Sequence, residues 1–169
     1  MGSGICKATV QLKDSVGNLF TTLTDDNGNY QFSNLPTNEN YIVNVEKVNA
    51  SLDGISTFDF LLINKHILGE LVIQNPFSLY ALDVDNSKSL TVMDLSLLRR
   101  VILNIPIPIS INRWLFFNSN YVFPDPMMPW NYPDATVRAY RNLTESIENA
   151  NFIGNKIGDA NNSANSCEN

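Results

Sequence analysis

The chain has 169 residues, of which 44% are apolar and 17% charged, and a formal net charge of -6 at pH 7. This composition is typical of a globular protein with one or two small domains. The eleven Lys and Arg residues are scattered, which argues against nucleic-acid binding, and no apolar run approaches the ~20 residues that a membrane span needs. An acidic balance fits a secreted or cation-binding protein.

Two cysteines, Cys6 and Cys167, lie near opposite ends of the chain. In an oxidising compartment they can form one disulfide that ties the two ends together. The alternative is two unrelated thiols, and the sequence leaves both open.

Residues 1–48 are predicted to form a small antiparallel β domain. The segments ATVQLK and LFTTLT are strand-like, and the stretch YQFSNLPTNENYIVNVEK contains two further extended segments. DSVGN and DDNGN are turn sequences that punctuate these strands. The acids of DDNGN are assigned to turn chemistry rather than to a metal.

The middle of this domain carries a recognisable pattern, T-D-x-x-G-x-Y-x-F-x-x-L-P. It is formed by Thr24, Asp25, Gly28, Tyr30, Phe32, Leu35 and Pro36. The stretch resembles the transthyretin-like or carboxypeptidase-regulatory-like β-sandwich family. The resemblance implies a truncated β-sandwich that lacks its first strand, leaving a sheet edge unpaired. A spacer or scaffold is the role we expect for it.

An internal repeat begins near residue 53 and becomes visible at a shift of thirty-five residues. GISTFDFLLINKHILG (54–69) then lies over SLTVMDLSLLRRVILN (89–104), and Asp59 matches Asp94. Downstream of each Asp the apolar residues recur at helical spacing, and Gly69 and Asn104 stand where a helix ends. Each copy is therefore predicted to be a short extended segment followed by an amphipathic helix.

The segment DVDNSKSLTVMD, residues 83–94, has the spacing of a calcium loop. Calcium takes six to eight oxygen ligands, and alternate residues of a tight loop point inward. The predicted ligands are Asp83, Asp85, Ser87, the Ser89 carbonyl, Thr91 and Asp94. Lys88 stands where glycine usually makes the sharp turn, and Asp94 where a helix-loop-helix EF-hand has Glu. The alternative is a polar turn with Asp94 capping a helix.

A loop with Asp at its twelfth position, no entering helix and a second copy nearby resembles the dockerin, the calcium-binding module that docks onto cohesins in cellulosomes. Residues 53–104 carry the resemblance, which is closest to dockerin-like repeats in large secreted proteins of Bacteroidota, and it continues into RWLFF (113–117) and YVFPDP (121–126). It implies partner-facing residues after each loop. These are Thr57, Phe58, Asn64, Lys65, Val92, Met93, Arg99 and Arg100. The alternative is solvated helix surface, with Phe58 and Met93 in the core.

Residues 105–155 form a segment rich in proline and aromatic residues, which we expect to be an insertion in the dockerin-like domain. Its aromatic side chains can cover the exposed faces of two short helices. Alternatively, Trp114, Trp130 and Tyr132 form a platform for sugar stacking.

The first repeat keeps only the second half of a calcium loop. Counting back from Asp59, positions one, three and five fall on Val48, Ala50 and Leu52, which cannot ligate through their side chains. The C-terminal segment KIGDANNSA (156–164) is the first half of such a loop and has no acid at its twelfth position. The two halves together predict a second site. Its ligands are Asp159, Asn161, Ser163, Gly54, Ser56 and Asp59, with Asp53 as an extra candidate.

The sequence therefore predicts an α+β protein: a truncated antiparallel β-sandwich (1–48) followed by a two-helix dockerin-like calcium-loop domain (49–169). Catalysis finds little support, because the single histidine, His66, has no nucleophile at a recognisable motif and is expected on an exposed helix surface. We expect a non-catalytic, secreted or cell-surface module that binds two Ca²⁺ ions and a cohesin-like partner. A calcium-rigidified spacer that contacts neighbouring domains of the same polypeptide is the alternative, and a carbohydrate-binding module ranks third.

Overall fold

The computed structural model describes residues 4–48, 52–107 and 113–167. Ala50, one of the positions used to argue that the first loop is incomplete, lies outside these ranges. Among the described residues, none of the helices combines the length and apolarity that a bilayer crossing requires.

The described residues fold into an antiparallel β-sheet and three α-helices, which agrees with the α+β prediction. The strands are β1 (Thr9–Asp14), β2 (Leu19–Leu23), β3 (Glu39–Val48), β4 (Arg113–Asn118), β5 (Arg138–Leu143) and β6 (Phe152–Lys156). The helices are α1 (Thr57–Ile67), α2 (Pro76–Leu82) and α3 (Val92–Ile102), with single 3₁₀ turns at Pro129–Asn131 and Pro133–Thr136.

The long strand β3 organises the sheet. β1 forms a hairpin with β2 and pairs along one edge of β3, from Thr9 opposite Glu46 to Asp14 opposite Tyr41. The other edge of β3 pairs with β5 through its first half and with β4 at Lys47 and Val48, and β4 in turn pairs with β6. The order β2-β1-β3-β4-β6, with β5 beside β3, forms one six-stranded antiparallel sheet.

The two predicted turns are built in the same way. Asp14 accepts hydrogen bonds from the amide and side chain of Asn18, each at 2.7 Å, and Asp25 accepts the equivalent pair from Asn29, at 2.8 and 3.1 Å. Gly17 and Gly28 have φ angles of 98° and 79°, in the region that favours glycine. The motif D-x-x-G-N is therefore a self-contained turn.

Two sequence expectations for the β part differ from the structure. Residues 30–38 form no strand, because Asn34 and Asn38 adopt φ angles of 58° and 63°, which an extended strand cannot accommodate. Residues 105–155 are not simply an insertion between helical parts, since they contribute β4, β5 and the start of β6 to the sheet that contains β1–β3. The predicted boundary at residue 48 therefore runs through a shared sheet.

Within residues 52–107, the helical part has three helices where two were predicted. Helix α2 begins at Pro76, and the Asn75 side chain caps it by accepting from the amides of Phe77 and Ser78. Its Leu79 and Leu82 are fully buried. Helix α2 therefore lies inside the helical core and not in a linker between the repeats.

The core of the helical part draws on distant segments of the chain. Ile63 of α1 and Leu98 of α3 pack in one cluster with α2, with Trp130 from the proline-rich segment and with Ile157 from the C-terminal segment. A second aromatic cluster joins Phe77 of α2 to Phe117 of β4, whose ring centroids lie 5.3 Å apart. The proline-rich segment thus packs over the helices, as expected, as well as extending the sheet.

Candidate metal centre

The loop before α3 brings three aspartates to one point. Asp83, Asp85 and Asp94 each offer a carboxylate oxygen, and these oxygens lie within 4.8 Å of one another. Asp94 is completely buried, and Asp83 is 8% exposed. Buried acids in such proximity can hold a metal ion, because a hard cation satisfies carboxylates that are removed from water.

We call residues 83–94 the intact loop, and backbone amides hold its acids in place. Asp94 Oδ1 accepts from the amide of Val84 at 2.8 Å, and Asp83 Oδ1 accepts from the amide of Ser87 at 2.9 Å. Asp83 Oδ2 accepts from the amide of Lys88 at 2.8 Å. Lys88 has a φ angle of 63°, so it adopts the left-handed conformation for which glycine is usual at this position.

The electrostatics of the intact loop favour a cation. Burial raises the pKa of Asp83 to about 6, and the neighbouring Asp85 and Asp94 act in the same direction, although hydrogen bonds from Lys88 and Ser87 oppose them. Burial also raises the pKa of Asp94. Ionising these carboxylates together is unfavourable without a compensating positive charge, which a divalent cation would supply.

A second loop with the same internal geometry is assembled from two segments of the chain. Asp159 Oδ1 accepts from the amide of Ser163 at 3.1 Å, and Oδ2 accepts from the amide of Ala164 at 2.8 Å. These two bonds correspond to those that Asp83 makes in the intact loop. Asn161 Oδ1 accepts from the Ser163 amide at 3.0 Å, just as Asp85 Oδ1 accepts from the Ser87 amide at 3.0 Å. We call this assembly of residues 53–59 and 159–164 the split loop.

The other half of the split loop matches equally well. Asp59 accepts from the amide of Ala160 at 2.9 Å and from the amide of Ser56 at 2.8 Å. In the intact loop, Asp94 accepts from Val84 and Thr91, both at 2.8 Å. Ser56 and Thr91 are also the N-caps of α1 and α3, and each helix begins with a capping box closed by the Asp. Asp94 therefore closes the capping box of α3, as the alternative interpretation expected, and also belongs to the cluster of three acids.

Gly54 marks the point where the two segments of the split loop meet. Its φ angle is 75°, and a Cβ atom placed on it would lie 2.4 Å from the Cα atom of Ala164. The Gly54 carbonyl lies 3.5 Å from the Ser163 hydroxyl, and in the intact loop the Ser89 carbonyl lies 3.2 Å from the Ser87 hydroxyl. The contact leaves no room for a side chain, so Gly54 permits the segments to join.

The split loop differs from the intact loop in charge. Its third position is Asn161, where the intact loop has Asp85. The split loop therefore has two acids among these positions, Asp159 and Asp59, where the intact loop has three. Burial raises the pKa of Asp159, and the nearby charge of Asp59 acts in the same direction. Hydrogen bonds from the amides of Ala164 and Ser163 oppose this rise. Asp53 lies at the rim, where its carboxylate accepts from the amide of Asn165 and its carbonyl accepts from Lys156 Nζ at 2.7 Å.

Val48 and Leu52, the apolar positions obtained by simple counting, lie outside the split loop, although Leu52 directly precedes it. Val48, position one by simple counting, pairs with Arg113 in the sheet and is 80% exposed, and Leu52 is 39% exposed.

A polar network that sequence reasoning missed supports the split loop on the side of helix α2. Ser78 of α2 accepts from the side-chain amides of Asn155 and Asn162, both at 3.3 Å. No pattern around Ser78 signals this role, because it depends on the packing of α2.

The predicted partner-facing residues lie on the helix surfaces. Phe58, Val92 and Met93 are 51%, 69% and 56% exposed, which excludes the core alternative for Phe58 and Met93. The polar members of the set are also accessible to solvent. Thr57, Arg99 and Arg100 are exposed, and Asn64 and Lys65 are half-buried.

The structure corrects two other sequence predictions, the platform for sugar stacking and the exposed position of His66. Trp114 and Trp130 are 7% and 5% exposed and pack in the core, so they do not form the platform for sugar stacking that was the alternative for this segment. His66 is half-buried and not on an exposed surface, and its Nδ1 accepts from the amide of Ile73 at 3.1 Å. Its role is to fix the turn that follows α1.

Comparison with protein-family models, with curated proteins and with solved structures finds no match to this chain.

Proposed function

We propose that this protein is a non-catalytic, dockerin-like module that binds two Ca²⁺ ions, one in the intact loop and one in the split loop, and docks onto a cohesin-like partner. The observation that carries the proposal is the repetition of one hydrogen-bond pattern in both loops. The amides that face Asp83 and Asp94 have equivalents that face Asp159 and Asp59. Polar linkers have no reason to reproduce such a pattern across two distant segments.

The donor set favours calcium among the common cations. The ligands would be carboxylate, amide, hydroxyl and carbonyl oxygens from a loop, which suit the larger and more variable coordination of Ca²⁺. Magnesium demands near-ideal octahedral geometry and retains several waters, so it is less suited to a wrapped loop. We expect the split loop to bind more weakly than the intact loop, because it has one carboxylate fewer.

Docking would use equivalent surfaces that follow the two loops. Phe58 occupies position eleven of the split loop, and Val92 and Met93 occupy positions ten and eleven of the intact loop. These apolar side chains are more than half exposed, at the start of helices whose first turn is fixed by the loop. Aromatic residues, Met and Arg, all present in this set, are the residue types enriched at protein-binding surfaces.

The position of the two chain segments argues against a spacer. The Ser166 hydroxyl donates to the Gly4 carbonyl at 2.6 Å, and Cys6 and Cys167 form a disulfide with Cα atoms 5.3 Å apart. Residues 4–6 and 166–167 are therefore held beside each other and not kept apart, which is the opposite of what a spacer does. The disulfide also favours an oxidising, extracellular location.

The docking claim is tested by pull-down with a panel of cohesin-like domains, with calcium or with a chelator. Retention in calcium and release by chelator are the expected results. Phe58→Asp and Met93→Asp should each weaken capture without lowering the melting temperature, because the replaced side chains are exposed. Val16→Asp is the matched control, since Val16 is 76% exposed on the β1–β2 turn and should have no effect. Capture that is insensitive to chelator and to both helix variants would rule out this docking mode.

A further inference from the structure

We infer that the Cys6–Cys167 disulfide sets the calcium affinity of the split loop and not that of the intact loop, so that reduction of this bond acts as a switch on one of two sites. The inference rests on the proposed two-ion function and adds the regulation of one site to it. It follows from the way in which the C-terminal segment is anchored.

The C-terminal half of the split loop is held at both of its ends. On one side, residue 156 ends β6, which is fixed in the sheet by its pairing with β4. On the other side, Cys167 is bonded to Cys6, close to the start of β1. Asp159, Asn161 and Ser163 lie between these anchors, so the disulfide limits where the predicted ligands can go.

The disulfide also aligns a buried clamp. Lys47 of β3 is 8% exposed, and its Nζ donates to the carbonyls of Cys6 and Ser166, each at 2.5 Å. One ammonium group thus holds the residue at one end of the bridge and the neighbour of the residue at the other. Once the bond is broken, residues 165–167 lose their covalent anchor and are held by hydrogen bonds alone, so the clamp loses the tether that keeps the Ser166 carbonyl in place.

Asp53 connects residues 165–167 to the split loop, so release of these residues would disturb the loop. The Asp53 carboxylate accepts from the amide of Asn165, and its carbonyl accepts from Lys156 Nζ. Asp53 precedes Gly54, whose carbonyl is the predicted ligand at position seven. Movement of residues 165–167 therefore loosens both halves of the split loop.

The intact loop has no such dependence. Its predicted ligands all come from the contiguous residues 83–94, which run directly from α2 into α3. The hydrogen bonds that hold Asp83 and Asp94 come from within the same stretch. Release of residues 165–167 therefore leaves the geometry of the intact loop unchanged, which makes this loop an internal control for a folded protein.

The chemistry of the switch is a thiol–disulfide exchange with a dithiol reductant. Cys167 is exposed, whereas Cys6 is 2% exposed, so the incoming thiolate attacks Sγ of Cys167 and Cys6 leaves as a thiolate. The second thiol of the reductant then resolves the mixed disulfide. Two electrons and two protons pass to the cysteines, and the dithiol leaves as a cyclic disulfide.

Calcium and the disulfide must then influence each other equally. If the bond strengthens calcium binding by a given factor, calcium opposes reduction of the bond by the same factor. We expect a factor on the order of tenfold, since couplings between sites commonly span roughly 5- to 150-fold. The effect should come chiefly from ordering the C-terminal segment before the ion arrives.

The test measures each site alone by calorimetric titration with calcium. Asp83→Ala removes the intact loop and leaves the split loop, whereas Asp159→Ala removes the split loop and leaves the intact loop. Each variant is titrated in the oxidised form and after reduction with dithiothreitol, and the Cys6→Ser/Cys167→Ser protein serves as a second reduced state. Reduction should weaken calcium binding about tenfold in Asp83→Ala and leave it unchanged in Asp159→Ala. In the wild-type protein, calcium should shift the dithiol–disulfide equilibrium toward the bridged form by the same factor.

The possible outcomes are distinct. If oxidised Asp83→Ala binds no calcium, the proposed second site fails and the switch fails with it. If the oxidised variant binds calcium and reduction does not change its affinity, only the switch is wrong. Loss of calcium binding in both variants on reduction would also overturn it, because it would show general unfolding in place of control over one loop.

Discussion

Asp59 Oδ1 accepts a hydrogen bond at 2.9 Å from the amide of Ala160, which lies 101 residues further along the chain. The same bond in the intact loop joins Asp94 to Val84, ten residues apart. One local geometry is thus produced once by a continuous segment and once by two segments that the fold brings together. The predictions below follow from this equivalence.

Calcium should raise the melting temperature of the protein. At about 5 mM calcium, roughly ten times a dissociation constant of about 0.5 mM, the intact loop should stabilise the fold by about 1.4 kcal/mol, and the weaker split loop by less. The two sites together then raise the melting temperature by roughly 3 to 11 °C for a chain of this size. Thermal unfolding monitored by circular dichroism in calcium and in EDTA measures this shift, and Asp83→Ala should remove at least half of it. Identical melting in both buffers would argue against calcium binding.

Gly54→Ala should disrupt the split loop specifically. The new Cβ atom would meet the Cα atom of Ala164 at 2.4 Å, and the φ angle of 75° is unfavourable for alanine. Gly69→Ala is the matched control, because Gly69 has a φ angle of 73° and no atom within 4 Å of the added Cβ. Both variants should lose about 1–2 kcal/mol of unfolding free energy from the backbone, but only Gly54→Ala should lose more and bind one ion fewer. Equal effects of the two variants would show that the close contact between Gly54 and Ala164 is not needed for the split loop.

Ser78→Ala should destabilise the split loop from behind. It removes the oxygen that accepts from Asn155 and Asn162. The buried Asn155 amide still donates to Asn162 Oδ1 at 2.7 Å and Asn162 is exposed, so the loss should be about 1 kcal/mol, the net value of a typical hydrogen bond. Urea unfolding measures the loss. Ser96→Ala on α3 is the control, since Ser96 is exposed and alanine favours the helix. A loss no larger than in the control would show that the Ser78 network contributes little.

His66 should make the stability of the calcium-free protein depend on pH. Burial lowers its pKa, and Nδ1 must be unprotonated to accept from the Ile73 amide. The unfolded state then binds more protons between the lowered folded pKa and about 6.5, so stability from this residue is complete above pH ~6.5 and is lost below it. Unfolding free energies at several pH values in EDTA, compared between wild type and His66→Gln, isolate the effect. A difference that grows as the pH rises to about 6.5 is expected, and a constant difference would contradict this role.

The sequence was informative where the determinants are local. The intact loop, the turns at Asp14 and Asp25 and the helices after Ser56 and Thr91 each depend on residues within a few positions, so pattern and spacing predicted them. The complementary halves of the split loop were recognisable because each keeps its own half of a positional pattern.

The remaining parts depend on non-local contacts. The pairing of β3 with β4 and β5 is between segments far apart in sequence, and no pattern in the proline-rich segment indicates it. Helix α2 is only seven residues long, too short for a periodic signal, although Asn75 followed by Pro76 is a typical helix start. Only one of the two extended segments expected in YQFSNLPTNENYIVNVEK forms a strand, because the sequence pattern does not reveal the left-handed conformations of Asn34 and Asn38.

The central claim is that two calcium loops exist and that the second is completed by the C-terminal segment. The most direct measurement is calcium stoichiometry by calorimetric titration of the oxidised protein, together with Asp83→Ala, Asp159→Ala and, as a control, Asp26→Ala in an exposed turn. We predict two ions for the wild type and for Asp26→Ala, and one ion for each of the other variants. A single ion in the wild type that is lost in Asp83→Ala and unaffected in Asp159→Ala would contradict the split site.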